Sequence, residues 1–236
     1  AIDTNAKWID PVNGNDTTGT GTQALPYKTY SKVNGLTLTE GILTYVKTGS
    51  SAPFAWNKNY QIKTIGFTRI VSTVSARGID YDPAGTLTQE LNGLRIDMAN
   101  VGGSVGINCN STVHPLTIKK FSIIRAAAAG INSNPFSTTL LIVEDCVIDN
   151  TNLYGVYSNK YTNIINCLLN SSQFCIYKDN ASQTTINVTN SKIVNSSTPL
   201  RLYFLVVFNM VGGLLEWASN AMVSSNASSG GERNFN

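Results

Sequence analysis

The 236-residue sequence predicts an all-β fold, a single-stranded right-handed parallel β-helix (β-solenoid) with an N-terminal cap. Three observations predict it: an apolar pattern recurring roughly every 23 residues, Asn at repeated turn positions, and a polarity supplied by Asn, Ser and Thr instead of charge. Charged residues make up 13% of the chain, against about a quarter in ordinary domains.

The repeat is anchored on Ile96, Ile118, Val143, Ile164 and Val188, spaced by 22, 25, 21 and 24 residues. Three residues after each anchor stands Ala99, Phe121, Cys146, Cys167 or Ser191, and five after stands Val101, Ile123, Ile148, Leu169 or Ile193. A second apolar position follows at Ile107, Ile131, Val156, Ile176 and Leu200. Each coil is therefore expected to carry two short strands of alternating character. Asn110, Asn134 and Asn159 each follow the second apolar position by three residues, and Asn150, Asn170 and Asn195 close the first strand of successive coils. Asn tolerates the left-handed backbone of a tight bend, and stacked Asn amides can bond the turns above and below. A leucine-rich repeat has a similar period, but its Leu-x-x-Leu-x-Leu spacing is missing. Right-handedness follows from the strong preference of parallel crossovers.

One domain spans 1–236. Residues 1–40 form the cap, 41–90 the irregular first coils with strand-like pieces at 42–46, 65–71 and 78–81, and 91–202 the regular coils. Residues 203–236 are expected to form a C-terminal coil or cap and a Ser, Asn and Gly-rich tail.

The opening Trp8-Ile9-Asp10-Pro11-Val12-Asn13-Gly14-Asn15-Asp16, with Gly19-Thr20-Gly21-Thr22 and Pro26-Tyr27-Lys28-Thr29 after it, resembles the start of pectate-lyase-like β-helix proteins of bacteria and phages. The resemblance covers about the first 50 residues by motif and the rest by coil pattern. It implies a short amphipathic helix over the first coil and then a strand at 43–47. It says little of activity, since this superfamily holds lyases, hydrolases, adhesins and structural spikes. The Asn-Thr-Asp, Asp-Asp and Gly-His-Gly motifs of its polygalacturonase-like branch are missing. So are the Trp-Ile-Asp-His and Arg-x-Pro-x-x-Arg patterns of its pectate lyases. The one histidine, His114, precedes Pro115 and reads as a loop residue.

The charges read as structural, and no catalytic residue is assigned. Asp97, Lys119 and Glu144 each follow an anchor by one residue and should form an outward ladder of alternating sign, with Lys120 and Asp145 as a second pair. Cys146 and Cys167 occupy one inward position of adjacent coils, where a disulfide is within reach and a stack of reduced thiols is favoured. The four cysteines lack zinc or redox spacing, and Asp10, Asn13, Asn15 and Asp16 read as turn formers, so neither a metal nor a cofactor is expected.

Two places remain for function. Tyr157 and Tyr177 each follow an inward apolar residue and should face outward on neighbouring coils, with Arg201 next in line. Such a set can stabilise the sheet, bury at an interface or stack on sugar rings. Tyr203, Phe204, Val206 and Phe208, in the apolar run 202–208, serve either as a final buried coil or as a docking surface at the open end. The favoured function is a non-enzymatic structural subunit, self-assembling into an extracellular filament, surface layer or phage appendage. The alternative is a carbohydrate-active β-helix: a polysaccharide lyase, a hydrolase or a glycan-binding spike. Expected partners are further copies of the chain and a surface polysaccharide. The net charge of +3 is scattered, which argues against nucleic acid, and the longest apolar run is too short to span a bilayer as a helix. Ala1 in place of Met points to a processed chain, expected outside the cell, on its surface or on a virion.

Overall fold

The computed structural model describes residues 3–58, 60–74, 77–82, 89–110, 115–133, 140–179, 184–202, 206–217, 223–224 and 233–235. They form a parallel β-solenoid of about six turns. Its strands divide into a 15-stranded sheet and an 8-stranded sheet, every pairing between named strands being parallel. Among the described residues no helix is long and apolar enough to cross a membrane.

Each regular coil carries three short strands, one more than the repeat pattern predicts. Leu140–Glu144, Val147–Thr151 and Tyr154–Ser158 are one such coil, on the first, second and third faces. The extra division comes from a sharp bend within the predicted first strand. Lys120, Asp145, Asn166 and Asn190 sit there with φ of 52°, 54°, 53° and 49°. The amide of Lys120 donates to the Glu144 carbonyl one coil on at 3.0 Å, and Asp145 and Asn166 repeat this on Ile165 and Thr189. The bend is thus part of the ladder. Glycine holds it in the early coils, where Tyr60–Val71 and Gln89–Asp97 run through as unbroken strands. Gly93 has φ 84°, and a Cβ there would lie 2.2 Å from the Thr64 hydroxyl oxygen. The left-handed positions are therefore not the expected Asn110 and Asn159, while Asn134 lies outside the described residues.

The register corrects one anchor. The first inward column runs Ile62, Leu91, Ile118, Val143, Ile164, Val188 and Met210. Ile96 belongs to the second, with Ile70, Ile123, Ile148, Leu169, Ile193 and Leu215. The long strand Gln89–Asp97 covers two faces, so its two apolar positions feed two columns and Val101 is not needed. The third column is as predicted, Ile107, Ile131, Val156, Ile176 and Leu200. Ile118, Val143, Ile164, Ile123, Ile131 and Ile176 are fully buried. Each such side chain contributes about 1.5–3 kcal/mol by leaving water.

The register also sorts the charges. Lys119 and Glu144 are partners across the first face, their charged atoms 3.2 Å apart. Asp97 instead aligns with Ile124 on the second face, where the Arg125 guanidinium grips its carboxylate. Burial alone would raise the Asp97 carboxyl; the Arg125 hydrogen bonds and the Ala99 amide hold it below its usual range. Lys120 and Asp145 form the bend, where Asp145 accepts from Asn166 Nδ2 at 3.2 Å. Cys146 and Cys167 are free, buried thiols just after the bend, donating to the carbonyls of Glu144 and Ile165 at 3.1 Å.

The cap is tied by its turn carboxylates and amides. Asp10 Oδ1 accepts from the amides of Val12 and Asn13, and Asn15 Oδ1 from those of Thr17 and Thr18. Asp16 accepts from the Lys28 and Thr29 amides and the Thr29 hydroxyl, fixing the start of the five-residue helix Tyr30–Asn34. Thr29 caps that helix, and Tyr30 stacks flat on Phe54 with ring centroids 3.8 Å apart. The helix thereby covers the first strand of the third face, Phe54–Trp56. At the other end the coil continues past 203, with Val206–Val211 pairing with Thr184–Thr189, and Leu214–Trp217 with Lys192–Ser196.

The third face lies close against the second because its inward column is flanked by glycine. Gly78, Gly106, Gly130 and Gly155 each precede a buried Ile or Val. A Cβ on Gly130 would lie 2.4 Å from the Ile148 methyl and 2.7 Å from the Gly155 carbonyl oxygen. Gly130→Ala should therefore destabilise the fold by roughly 1–3 kcal/mol through overpacking. Chemical denaturation should show this as a lower midpoint at unchanged slope, and an unchanged midpoint would refute the close approach.

Candidate functional site

Outward positions of the third face stack just as inward ones do. One outward column runs Asp80, Asn108, Asn132, Tyr157, Tyr177 and Arg201 over successive coils. Its first half is an amide ladder. Asn132 Nδ2 donates to Asn108 Oδ1 at 2.9 Å, and Asn108 Nδ2 donates to Asp80 Oδ1 at 2.8 Å. Asp80 can only accept, so it ends a chain of donors all pointing towards the N-terminus; Asn110 and Arg77 also donate to it. At the other end Asn132 Oδ1 is buried without a hydrogen-bond partner among the described residues, because the next rung is a tyrosine ring with no amide to offer.

The second half is aromatic. The sequence indicates Tyr157, Tyr177 and Arg201, and the structure brings these three together on adjacent coils. It adds Tyr154 and Phe174, partners in a neighbouring outward column. Tyr154 and Tyr177 have centroids 4.4 Å apart, Tyr157 meets Tyr177 edge-on at 5.0 Å, and Phe174 lies 5.5 Å from Tyr177. The Arg201 guanidinium carbon stands 5.0 Å from the Phe174 centroid and 5.7 Å from that of Tyr177. All five side chains are half-buried. Tyr154 and Phe174 were legible in principle, since each precedes its outward tyrosine by the same three residues.

A carboxylate borders this platform, and a lysine beside it in sequence is buried on the inward side. Tyr157 donates its hydroxyl proton to Asp179 Oδ1 at 2.7 Å. Burial, and then the Asp179 carboxylate, push the Tyr157 phenol well above its ordinary range, so it stays a neutral donor. Lys178, between Tyr177 and Asp179, is fully buried in register with Leu202. Burial pushes its ammonium down to about 8, with Asp179 acting the other way. Together these groups offer flat aromatic faces, a guanidinium and amide and hydroxyl groups, a surface for stacking and hydrogen bonding.

The C-terminal candidates separate. Val206 and Phe208 point into the core, in register with Thr184 and Ile186, and are 3% and 0% exposed. Their side chains extend the inward columns and present no outer face, while Tyr203 and Phe204 lie outside the described residues. His114 does too.

Lys178 makes a pH-dependent contribution with a definite sign. Between about 8 and its ordinary value of 10.5, the folded chain holds fewer protons at this site than the unfolded chain. Stability from this group therefore rises with pH across that window. Lys178→Met should remove the rise, seen as a flatter dependence of the thermal midpoint between pH 7.5 and 9.5; identical profiles would count against a depressed lysine.

No protein-family model and no curated protein matches the chain. Among solved structures, it is similar to the pectin methylesterase from Aspergillus niger in penultimately deglycosylated form, with a TM-score of 0.61, 9% identity, and 100% of this chain and 86% of that chain covered. The deglycosylated form of that enzyme gives 0.59, with the same identity and coverage. Pectate lyase Pel9A gives 0.49 at 11% identity over 94% of this chain and 79% of that one. The likeness is one of architecture: this chain has the right-handed parallel β-helix fold of the pectin methylesterase.

Proposed function

We propose that the protein binds carbohydrate through the platform on its third face, acting as a β-helical recognition module. The observation that supports this is the cluster of Tyr154, Tyr157, Phe174 and Tyr177 on two adjacent coils, flanked by Arg201. Sugar rings have apolar faces that stack on aromatic rings, and hydroxyls that pair with amides, phenols and guanidinium. A column of identical spacing, about 4.8 Å per coil, suits a ligand that is itself a repeating chain. Such a ligand fits a protein working outside a cell or on a virion surface.

Affinity electrophoresis or calorimetry against neutral and acidic polysaccharides tests this reading. Each aromatic contact is worth about 0.5–1.5 kcal/mol, so the double variant Tyr154→Ala/Tyr177→Ala should bind about tenfold or more weakly. Retention of full affinity by a folded double variant, or no binding by the native protein across the panel, would sink it.

A second reading, self-assembly into a filament or surface layer, is favoured by the C-terminal end. Leu214–Trp217 ends its face of the ladder with one strand partner among the described residues; Val211 just before it and its own Leu214 are 53% and 43% exposed. A parallel edge of this kind can accept a strand from another copy, and a head-to-tail contact propagates. Electron microscopy of concentrated native protein should then show ordered rods, and monodisperse monomers at all concentrations would dismiss assembly.

A further inference from the structure

A groove of about 370 Å³ crosses the bend between the first and second faces, away from the aromatic platform. Phe67, Arg95, Lys120, Phe121, Ser122 and Asp145 line it, drawn from four successive coils. Three coil steps make it roughly 14 Å long.

Its chemistry is cationic. Arg69 and Arg95 are direct partners in one outward column of the second face, so two guanidinium groups sit on adjacent rungs. Like charges in register are unfavourable unless something answers them. The nearby acids are already engaged. Asp97 takes both Arg125 hydrogen bonds and the Ala99 amide and feels Arg95 only through space, while Asp145 accepts from Asn166. Arg95 Nε is buried with no hydrogen-bond acceptor among the described residues. A charged donor left this way costs more than a neutral one, and the cost is recovered when an acceptor arrives. Lys120 stands exposed at the same groove. Phe67, 58% exposed, forms the groove's N-terminal wall. It protrudes because residues 64–67 bulge opposite a single step of the next strand.

We infer that this groove is a second binding site, which takes an oxyanion, a carboxylate or sulfate, carried on a sugar ring. Arg95 and Lys120 hold the oxygens with charge-assisted hydrogen bonds, and Phe67 covers the apolar face of the ring. Asp145 closes the far end, where its negative charge and its bond to Asn166 set the limit of the anionic stretch. The site stands on residues unrelated to the third-face platform.

The test compares dextran sulfate, alginate and neutral dextran, with inorganic sulfate as the small probe, by calorimetry at several salt concentrations. Dextran sulfate or alginate should bind and neutral dextran should not at this site, the first two separating sulfate from carboxylate as the preferred oxyanion. Arg95→Met should weaken binding tenfold or more and make its salt dependence shallower. Lys120→Asn should weaken it several-fold while keeping the fold, since Asn already holds this bend at Asn166 and Asn190. Phe67→Ala should weaken polymer binding but leave inorganic sulfate unaffected. Tyr154→Ala/Tyr177→Ala should leave oxyanion binding intact, so the two sites fail or stand separately. Equal binding of neutral dextran in the groove, undiminished affinity in Lys120→Asn, or an equal loss in the surface control Lys58→Asn would overturn the proposal. These arms decide the matter even if Arg95→Met does not fold.

Discussion

In-register pairing of parallel strands sets the terms for everything else in this molecule. Each residue has as its closest neighbours the residues one coil before and one coil after, about 4.8 Å away. An inward Ile rests on an inward Ile, an outward Asn on an outward Asn. Columns therefore behave as units. The buried columns supply most of the stabilisation, while the outward ones must satisfy hydrogen bonds and charge along their length. The Asn108–Asn132 ladder hands an amide donor from each coil to the one before it and ends on acceptor-only Asp80, while Asn108 Nδ2 also reaches Asn110 Oδ1. Asn163, Asn187 and Asn209 repeat the device on the first face.

Closing a coil around these columns requires a bend that keeps the ladder intact. The left-handed residue does this, since its own amide still donates to the next coil. Asn and Gly adopt that backbone at little cost, and Lys120 and Asp145 adopt it because the rungs on both sides are already paired. Glycines at 78, 106 and 130 let the third face approach the Ile column of the second, and Gly155 lies close against the Cys175 backbone of the next coil.

The platform and the basic groove both follow from this repetition. A chance pair of outward aromatics becomes a cluster when coil spacing brings Tyr154 and Tyr157 beside Phe174 and Tyr177. Two arginines 26 residues apart in sequence, Arg69 and Arg95, become neighbours for the same reason. Solenoids thus turn one-dimensional patterns into surfaces, and a site can be built from one or two residue types per coil.

Much of this was readable from sequence. Alternation determined that Ile107, Ile131, Val156, Ile176 and Leu200 face inward, and that Tyr157, Tyr177 and Arg201 face outward in line. These follow from the two-residue period of a strand and need no partner. Alternation could not decide which strand lies beside which, because register depends on loop lengths and on where the chain bends. Ile96 shows this: spacing aligned it with Ile118, whereas the unbroken strand Gln89–Asp97 spans two faces and pairs it with Ile123. The same uncertainty hid Tyr154 and Phe174, misplaced Asp97 in a ladder with Lys119, and left Val206 and Phe208 open between a buried final coil and a docking surface, a choice that their pairing with Thr184 and Ile186 decides for burial. The sequence by itself determined the coil, its inward columns and its outward tyrosines. Only the tertiary structure decided their register, because pairing between coils is a property of the closed turn and not of any one strand.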